Sequence, residues 1–390
     1  SGSMLLQLPQ EILEMIVAEL AYRADINALV RTSRDLHRRL NPYLYRLSAD
    51  YERSFNLRWA ARGGQCDTAR RWIAIMRDTP SMNRPETRYM QGDAAAALHE
   101  AIAHGQTEPA RLLLTTVDRV DVNARSPRRG DTPLLAAARA GQAAIVHMLL
   151  GWEGVDAQAR DAEGHTTRFV AARGACEAVV ALLLADGRAD PNAADIHGLT
   201  PLHAAVRREG AGVVAQLLAS GRVHADPADQ KGTTPLTLAT RDGHFDNVER
   251  LLRTGRVDVG SRDKEGWTPL VAAVVHQHYA LVRQLIERGA AVPSTIDAGT
   301  SILLFPAKVG NAAAVQMLLD AGARPTGRDG WGRTVLSHLA QTGNDEIVKL
   351  LLDAGAGVEV NDRDVYGCAA LFYATSNGHA AVVELLLAAG

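Results

Sequence analysis

A threonine-proline-leucine step recurs at a fixed interval, and it constrains this chain more than any other feature. Thr132-Pro133-Leu134, Thr200-Pro201-Leu202, Thr234-Pro235-Leu236 and Thr268-Pro269-Leu270 keep a 34-residue phase, with Thr166-Thr167-Arg168 holding the slot between the first two. Weaker copies start at Ser301, Thr334 and Ala369, and an earlier one at Ala96. A more degenerate copy is anchored by Leu57, Ala60, Ala61 and Gly64. Self-similarity at this period marks a repeat architecture: one unit cannot cover its own apolar face, so the units must stack. About ten units fit between residue 54 and the end of the chain.

Each unit has the same internal logic. The threonine caps a helix with its hydroxyl. Proline fits the first helical turn, where its missing N–H is not needed. The leucine and an alanine pair (Ala204-Ala205, Ala272-Ala273) are small enough for close helix packing. Glycine then ends the first helix, at Gly141, Gly243, Gly310, Gly343 and Gly378. A second apolar helix follows, such as Val213 to Leu218, and then a polar turn with Asp and Gly, as in Asp195/Gly198, Asp229/Gly232 and Asp263/Gly266.

Composition agrees. Hydrophobic residues make up 47% of the 390, which excludes general disorder, and aromatics only 5%, which suits thin layers of small helices. The formal net charge of −2 argues against a general nucleic-acid binder. Cys66, Cys176 and Cys368 are too scattered for a disulfide framework or a zinc site. No stretch reaches the roughly 20 apolar residues of a membrane span. A reducing compartment, cytoplasmic and/or nuclear, is the expectation. Ser1-Gly2-Ser3 ahead of Met4 reads as a cloning scar.

The Thr-Pro-Leu-His-x-Ala step, intact from Thr200 to Ala205, resembles the ankyrin repeat, whereas the Trp, Leu-Gly, Tyr pattern of tetratricopeptide repeats is missing. The resemblance implies helix–turn–helix units joined by β-turn fingers, an all-α solenoid over residues 54–390 with a concave binding face. His203, in the repeat's histidine slot, reads as a structural, hydrogen-bonded residue. Leu135, Phe169, Thr237, Val271, Leu304, Ser337 and Phe372 fill that slot elsewhere.

Residues 4–50 do not fit the repeat. Pro9 suits a helix start with Glu11 in its first turn, and Ile12, Ile16 and Leu20 recur on one face, widened by Leu13 and Val17. Leu8-Pro9-x-Glu11-Ile12-Leu13, followed by Asp25 to Arg34, resembles the F-box, although Tyr43 or Tyr45 stands where that family usually has Trp. The resemblance implies a three-helix module that docks on the Skp adaptor of a cullin ubiquitin ligase, through Leu8, Pro9, Ile12, Leu13, Ile16, Leu29 and Val30. A module this small cannot hide all those apolar groups, and leftover apolar surface marks a partner site. The same residues could instead pack on the first repeat as a solenoid cap.

Two surfaces are candidates for substrate. Seven residues after the start of the step stand Arg139, Arg173, Arg207 and Arg241; Val275 breaks the series and Lys308 resumes it. Neighbouring repeats would align these into a ladder, with Arg128, Arg129, Arg208 and Lys231 nearby, suited to an acidic or phosphorylated peptide. The same arginines could instead pair with the Asp of a neighbouring finger. The second surface joins Trp267 and Trp331 at fingertips with His276, Phe305, Lys308 and His338, an aromatic and cationic set of the kind that anchors interfaces. Pro306, in place of the usual alanine, should disturb its helix.

Phosphate-loop, zincin and nucleophile-elbow motifs are missing. His276 and His278 do not share a helical face, so the i, i+4 metal pair is missing as well. The expectation is therefore a non-enzymatic monomer without cofactor or metal, a substrate receptor of a Skp–cullin–F-box ligase. A plain ankyrin scaffold or inhibitor is one alternative. An enzyme or small-molecule binder with a closed cavity around Trp267, His276 and Trp331 is the other.

Overall fold

The computed structural model describes residues 53–77, 87–117, 120–127, 129–209, 212–296, 299–355 and 358–390. The adaptor-docking set Leu8 to Val30 lies outside the described residues, as does Arg128. The chain divides into two compact units, 1–163 and 164–390.

In the first unit, α1 (Arg53–Arg62) and α2 (Cys66–Arg77) form one antiparallel pair, α3 (Thr87–Ala103) and α4 (Thr107–Thr116) the next, α5 (Pro133–Arg139) and α6 (Ala143–Leu150) the third. First helices pack on first helices (α1 on α3, α3 on α5) and second on second (α2 on α4, α4 on α6). Leu57, Ala60 and Ala61 of the most degenerate copy are fully buried.

The second unit repeats the scheme: α7 (Thr167–Arg173), α8 (Glu177–Asp186), α9 (Pro201–Val206), α10 (Gly212–Ala219), α11 (Pro235–Arg241), α12 (Phe245–Arg253), α13 (Pro269–Val275) and α14 (Tyr279–Glu287). After a two-residue hairpin of β1 (Thr295–Ile296) and β2 (Thr300–Ser301) come α15 (Leu304–Lys308), α16 (Ala312–Asp320), α17 (Val335–Thr342), α18 (Asp345–Ala354), α19 (Ala370–Ser376) and α20 (Ala380–Ala389). Among the described residues this hairpin is the only pair of strands.

The repeated threonine does what its chemistry suggests. The hydroxyls of Thr132, Thr166, Thr234, Thr268 and Thr334 each accept the N–H three residues on, at 3.2–3.4 Å. At Thr200 the histidine slot takes part: Thr200 N–H donates to His203 Nδ1 (3.1 Å), and Nε2–H donates to the Thr233 carbonyl of the next finger (3.1 Å). Each finger is tied by one aspartate. Asp229 accepts the N–H groups of Lys231 and Thr233, and Asp195 those of His197 and Leu199. Successive fingers bond backbone to backbone, Gln230 N–H to His197 O (2.9 Å) and Lys264 N–H to Lys231 O (2.8 Å).

Two slots depart from the pattern. Arg168 occupies the leucine slot and is as buried as Leu134, Leu202, Leu236 and Leu270 are. Pro306 confines its disturbance to a shortening: α15 starts at Leu304 and has five residues, against seven in α11 and α13, with Pro306 third in it.

In most repeats the turn that ends the first helix uses a left-handed residue. Gly141, Gly243, Gly310 and Gly343 supply φ between 71° and 79°, but Ala175 (54°) and Gln277 (62°) fill the same slot with a Cβ. A left-handed L-residue costs roughly 1–2 kcal/mol, partly offset by the greater unfolded freedom of glycine. Ala175→Gly and Gln277→Gly are each expected to raise stability by about 0.5–1 kcal/mol in urea titrations. A loss of stability in both would contradict this account of the turn.

Candidate functional site

The arginine slot at the end of each first helix divides into two kinds. Arg139 is locked. Its Nε and Nη2 grip Asp131 at 3.1 and 2.8 Å, Nη2 also reaches Asp161 at 2.8 Å, and the side chain is only 18% exposed. Burial works against its charge, but the two carboxylates outweigh that and raise its pKa. Asp131 comes immediately before the capping Thr132; the matching residues of the next repeats are His165, Leu199, Thr233 and Trp267. The fork that neutralises Arg139 is therefore missing from those repeats.

In the second unit the slot is open. Arg173 is half-buried and meets no carboxylate among the described residues, while its carbonyl accepts from Arg208 Nε at 3.1 Å. Arg207 and Arg241, 55% and 39% exposed, converge on one carboxylate, each placing Nε 3.4 Å from a different oxygen of Asp242. Contacts this long and this exposed contribute little, on the order of 0–1 kcal/mol. Asn247 is buried and donates to the carbonyls of Val206 and Arg208, which fixes the turn that carries Arg207 and Arg208. Lys308, exposed at the end of α15, has no ion pair among the described residues.

His276 joins this group. It caps the end of α13, one residue past the arginine slot, and lies parallel to His278 with ring centres 6.4 Å apart. Burial, His278 and Arg241 pull its pKa below the usual histidine value, against Asp242. His278 itself is structural: Nε2 shares a 3.0 Å hydrogen bond with the Arg241 carbonyl.

The second predicted surface loses one member to the interior. His338 is buried, bonded to Asp329 at 2.9 Å, and belongs to the interior. Trp267 and Phe305 are half-buried. Trp331 is 53% exposed, with the Arg333 guanidinium 5.0 Å above its ring. Its fingertip neighbours are Val365 and Tyr366, more exposed still, and Val365 N–H donates to Trp331 O. These two were legible as the residues between Asp364 and Gly367, the tip positions that Gln230-Lys231 and Lys264-Glu265 fill with polar side chains.

Two grooves in the second unit lie away from these residues. One of about 220 Å³ runs beside Arg328, Leu336 and Glu359; the other, about 600 Å³, lies between Phe245, Tyr279, Arg283 and Met317. Neither includes Trp267, His276 or Trp331. No helix among the described residues is long and apolar enough to cross a membrane.

The family model of ankyrin repeats, in its three-copy form, matches residues 57–161, 136–226, 211–296 and 303–390. No curated protein matches the chain significantly. Ankyrin repeats are modules of protein–protein interaction, and the open arginine slots and bare fingertip aromatics lie on elements that every repeat presents in the same register. By the match over most of its length and by the capped helix pairs described above, this chain belongs to the ankyrin-repeat family.

Proposed function

We propose that the chain is the substrate receptor of a Skp–cullin–F-box ubiquitin ligase, with residues 4–50 docking on the adaptor and the repeats holding a protein substrate. The observation that carries the repeat half is surface chemistry the fold does not need: under-neutralised arginines in the second unit and exposed Trp331, Val365 and Tyr366 at adjacent fingertips. Such aromatic and arginine side chains are the usual anchors of interfaces. What supports the other half is the Leu8-Pro9-x-Glu11-Ile12-Leu13 step with the Asp25 to Arg34 segment. On this reading the protein contributes proximity and orientation, and the ubiquitin-charged enzyme supplies the chemistry.

Calorimetry of the full chain with a Skp adaptor tests the reading. Tight binding is expected, and Leu8→Asp or Ile12→Asp should abolish it by placing a charge in an apolar contact. A folded chain that does not bind the adaptor would reduce the role to that of an ankyrin scaffold.

A further inference from the structure

We propose that the open arginine slots of the second unit bind an extended acidic segment whose carboxylates recur every third residue. The proposal rests on the reading that the repeats hold a protein partner, and it names the chemistry of that partner.

Three observations converge. First, the same sequence slot is neutralised in one place and not in the other. Arg139 has two carboxylates at 2.8 Å; Arg173 has none among the described residues, and Arg207 and Arg241 share one. Beside them lie Arg208 and the imidazole of His276, with Glu209 exposed on the same turn. The local balance is positive in a chain whose overall charge is −2.

Second, the repeat sets a spacing. The helices α7, α9 and α11 pack side by side and carry Arg173, Arg207 and Arg241 at the same register. Packed helix axes lie about 8–10 Å apart. An extended chain advances about 3.1–3.4 Å per residue, so three residues cover about 9–10 Å. Glutamates at every third position then meet successive arginines, whereas every-second spacing falls out of step after one.

Third, the site already shows how it takes a carboxylate. Asp242 lies between Arg207 and Arg241 with one oxygen toward each, in single long contacts where the bidentate fork of guanidinium could do better. Asp242 is thus a weak intramolecular placeholder that an incoming carboxylate displaces, and its contacts cost little to break.

The test is fluorescence anisotropy of the full chain with labelled peptides. One carries three glutamates at every third residue of a Gly/Ser/Ala background; a second has the same composition with glutamates at every second residue; a third replaces glutamate by phosphoserine at the first spacing. The third-residue glutamate peptide is expected to bind about tenfold tighter than the second, with an affinity that falls steeply with salt. Arg207→Ala with Arg241→Ala should lose at least about tenfold, and Asp242→Asn should gain a few-fold by freeing both guanidinium groups. Equal binding of the two glutamate peptides, indifference to the double substitution in a chain with unchanged thermal midpoint, or binding of the phosphoserine peptide alone would each overturn the proposal. Adaptor calorimetry on the same preparation reports on the ligase reading separately, because Leu8→Asp leaves these arginines in place.

Discussion

Arg168→Met is expected to stabilise the protein, raising the unfolding midpoint by several degrees, although it removes a well-bonded side chain. Arg168 fills a leucine slot at 2% exposure. Its Nη2 donates to the Leu183 carbonyl at 2.5 Å and its Nη1 to Ala189, while Nε is buried without a partner. Among the described residues no carboxylate pairs with it directly; burial lowers its pKa, helped by Arg222 and opposed by Asp186 and Asp190. Burying a guanidinium costs several kcal/mol, and two carbonyl bonds return about 1.5–3 kcal/mol each at best. The negative end of α8 beside Leu183 offsets part of the remainder. Methionine matches the volume, is adaptable, and leaves two carbonyls with lost donors, so the net gain should be about 1–3 kcal/mol. Arg168→Ala has the opposite sign. It leaves a cavity as well and should cost about 3 kcal/mol. Thermal and urea unfolding of both variants decide the matter; a Met variant less stable than the parent would mean that the guanidinium is net favourable where it lies.

The second large effect belongs to Asp329, which holds a finger and the interior together. Its Oδ1 accepts the N–H groups of Trp331 (2.9 Å) and Arg333 (3.0 Å), and its Oδ2 meets His338 Nε2 (2.9 Å) and Arg333 Nε (3.0 Å). Burial favours its neutral form, but the Arg333 N–H, His338, the Trp331 N–H and the Arg333 guanidinium outweigh this and hold its pKa at about 2. Asp329→Ala strands all four donors, one of them on a buried imidazole, and should cost about 3–4 kcal/mol. Asp329→Asn keeps one acceptor oxygen and should cost about half of that. The sign of the pH dependence follows. Because the folded pKa lies below the usual 3.8, this group's contribution is complete above pH 4 and disappears as pH falls toward 2, about 2 kcal/mol in all.

A separate loss begins at higher pH. Burial lowers the pKa of His203 and of His338; at His338 the bond to Asp329 opposes, and at His203 the Thr233 carbonyl does. A histidine whose folded pKa is depressed stabilises the fold above its unfolded value near 6.5, and that stability is lost as pH falls below it. At His203 the reason is atomic. Nδ1 must accept from Thr200 N–H while Nε2–H donates to Thr233, and only the neutral ring does both. Denaturant midpoints at pH 7.5 and 5.5 should therefore differ, and His203→Gln should reduce the difference. A flat profile in the parent would refute it.

How much of this was legible depended on range in sequence. The caps were readable because Thr132 and Leu135 are three residues apart, and the left-handed turns because glycine is the residue that suits them. The phase even assigned Arg168 to the leucine slot, but its partners Leu183 and Ala189 belong to the second helix and the loop after it, and spacing alone does not say which way a long side chain turns. The arginine ladder was half legible. Every-34 spacing found Arg139 and Arg241 alike; what separates them is Asp131 against Thr233, one side chain before the cap. His276 and His338 were read onto one surface, yet His276, eight residues after its capping Thr268, is exposed at a helix end, while His338, four after Thr334, is buried on Asp329 of the finger that precedes its helix.

The residue before the capping threonine has an implication for how such a chain diverges. An aspartate there commits the arginine eight residues later to the scaffold, as Asp131 does Arg139; a threonine or leucine there leaves it without that fork. Recognition can thus be rewritten copy by copy, through single substitutions that spare every helix and cap. On the binding reading proposed above, a tandem array can change its preference in this way while its helices stay folded, and Thr233→Asp would make one such step in the laboratory by silencing Arg241.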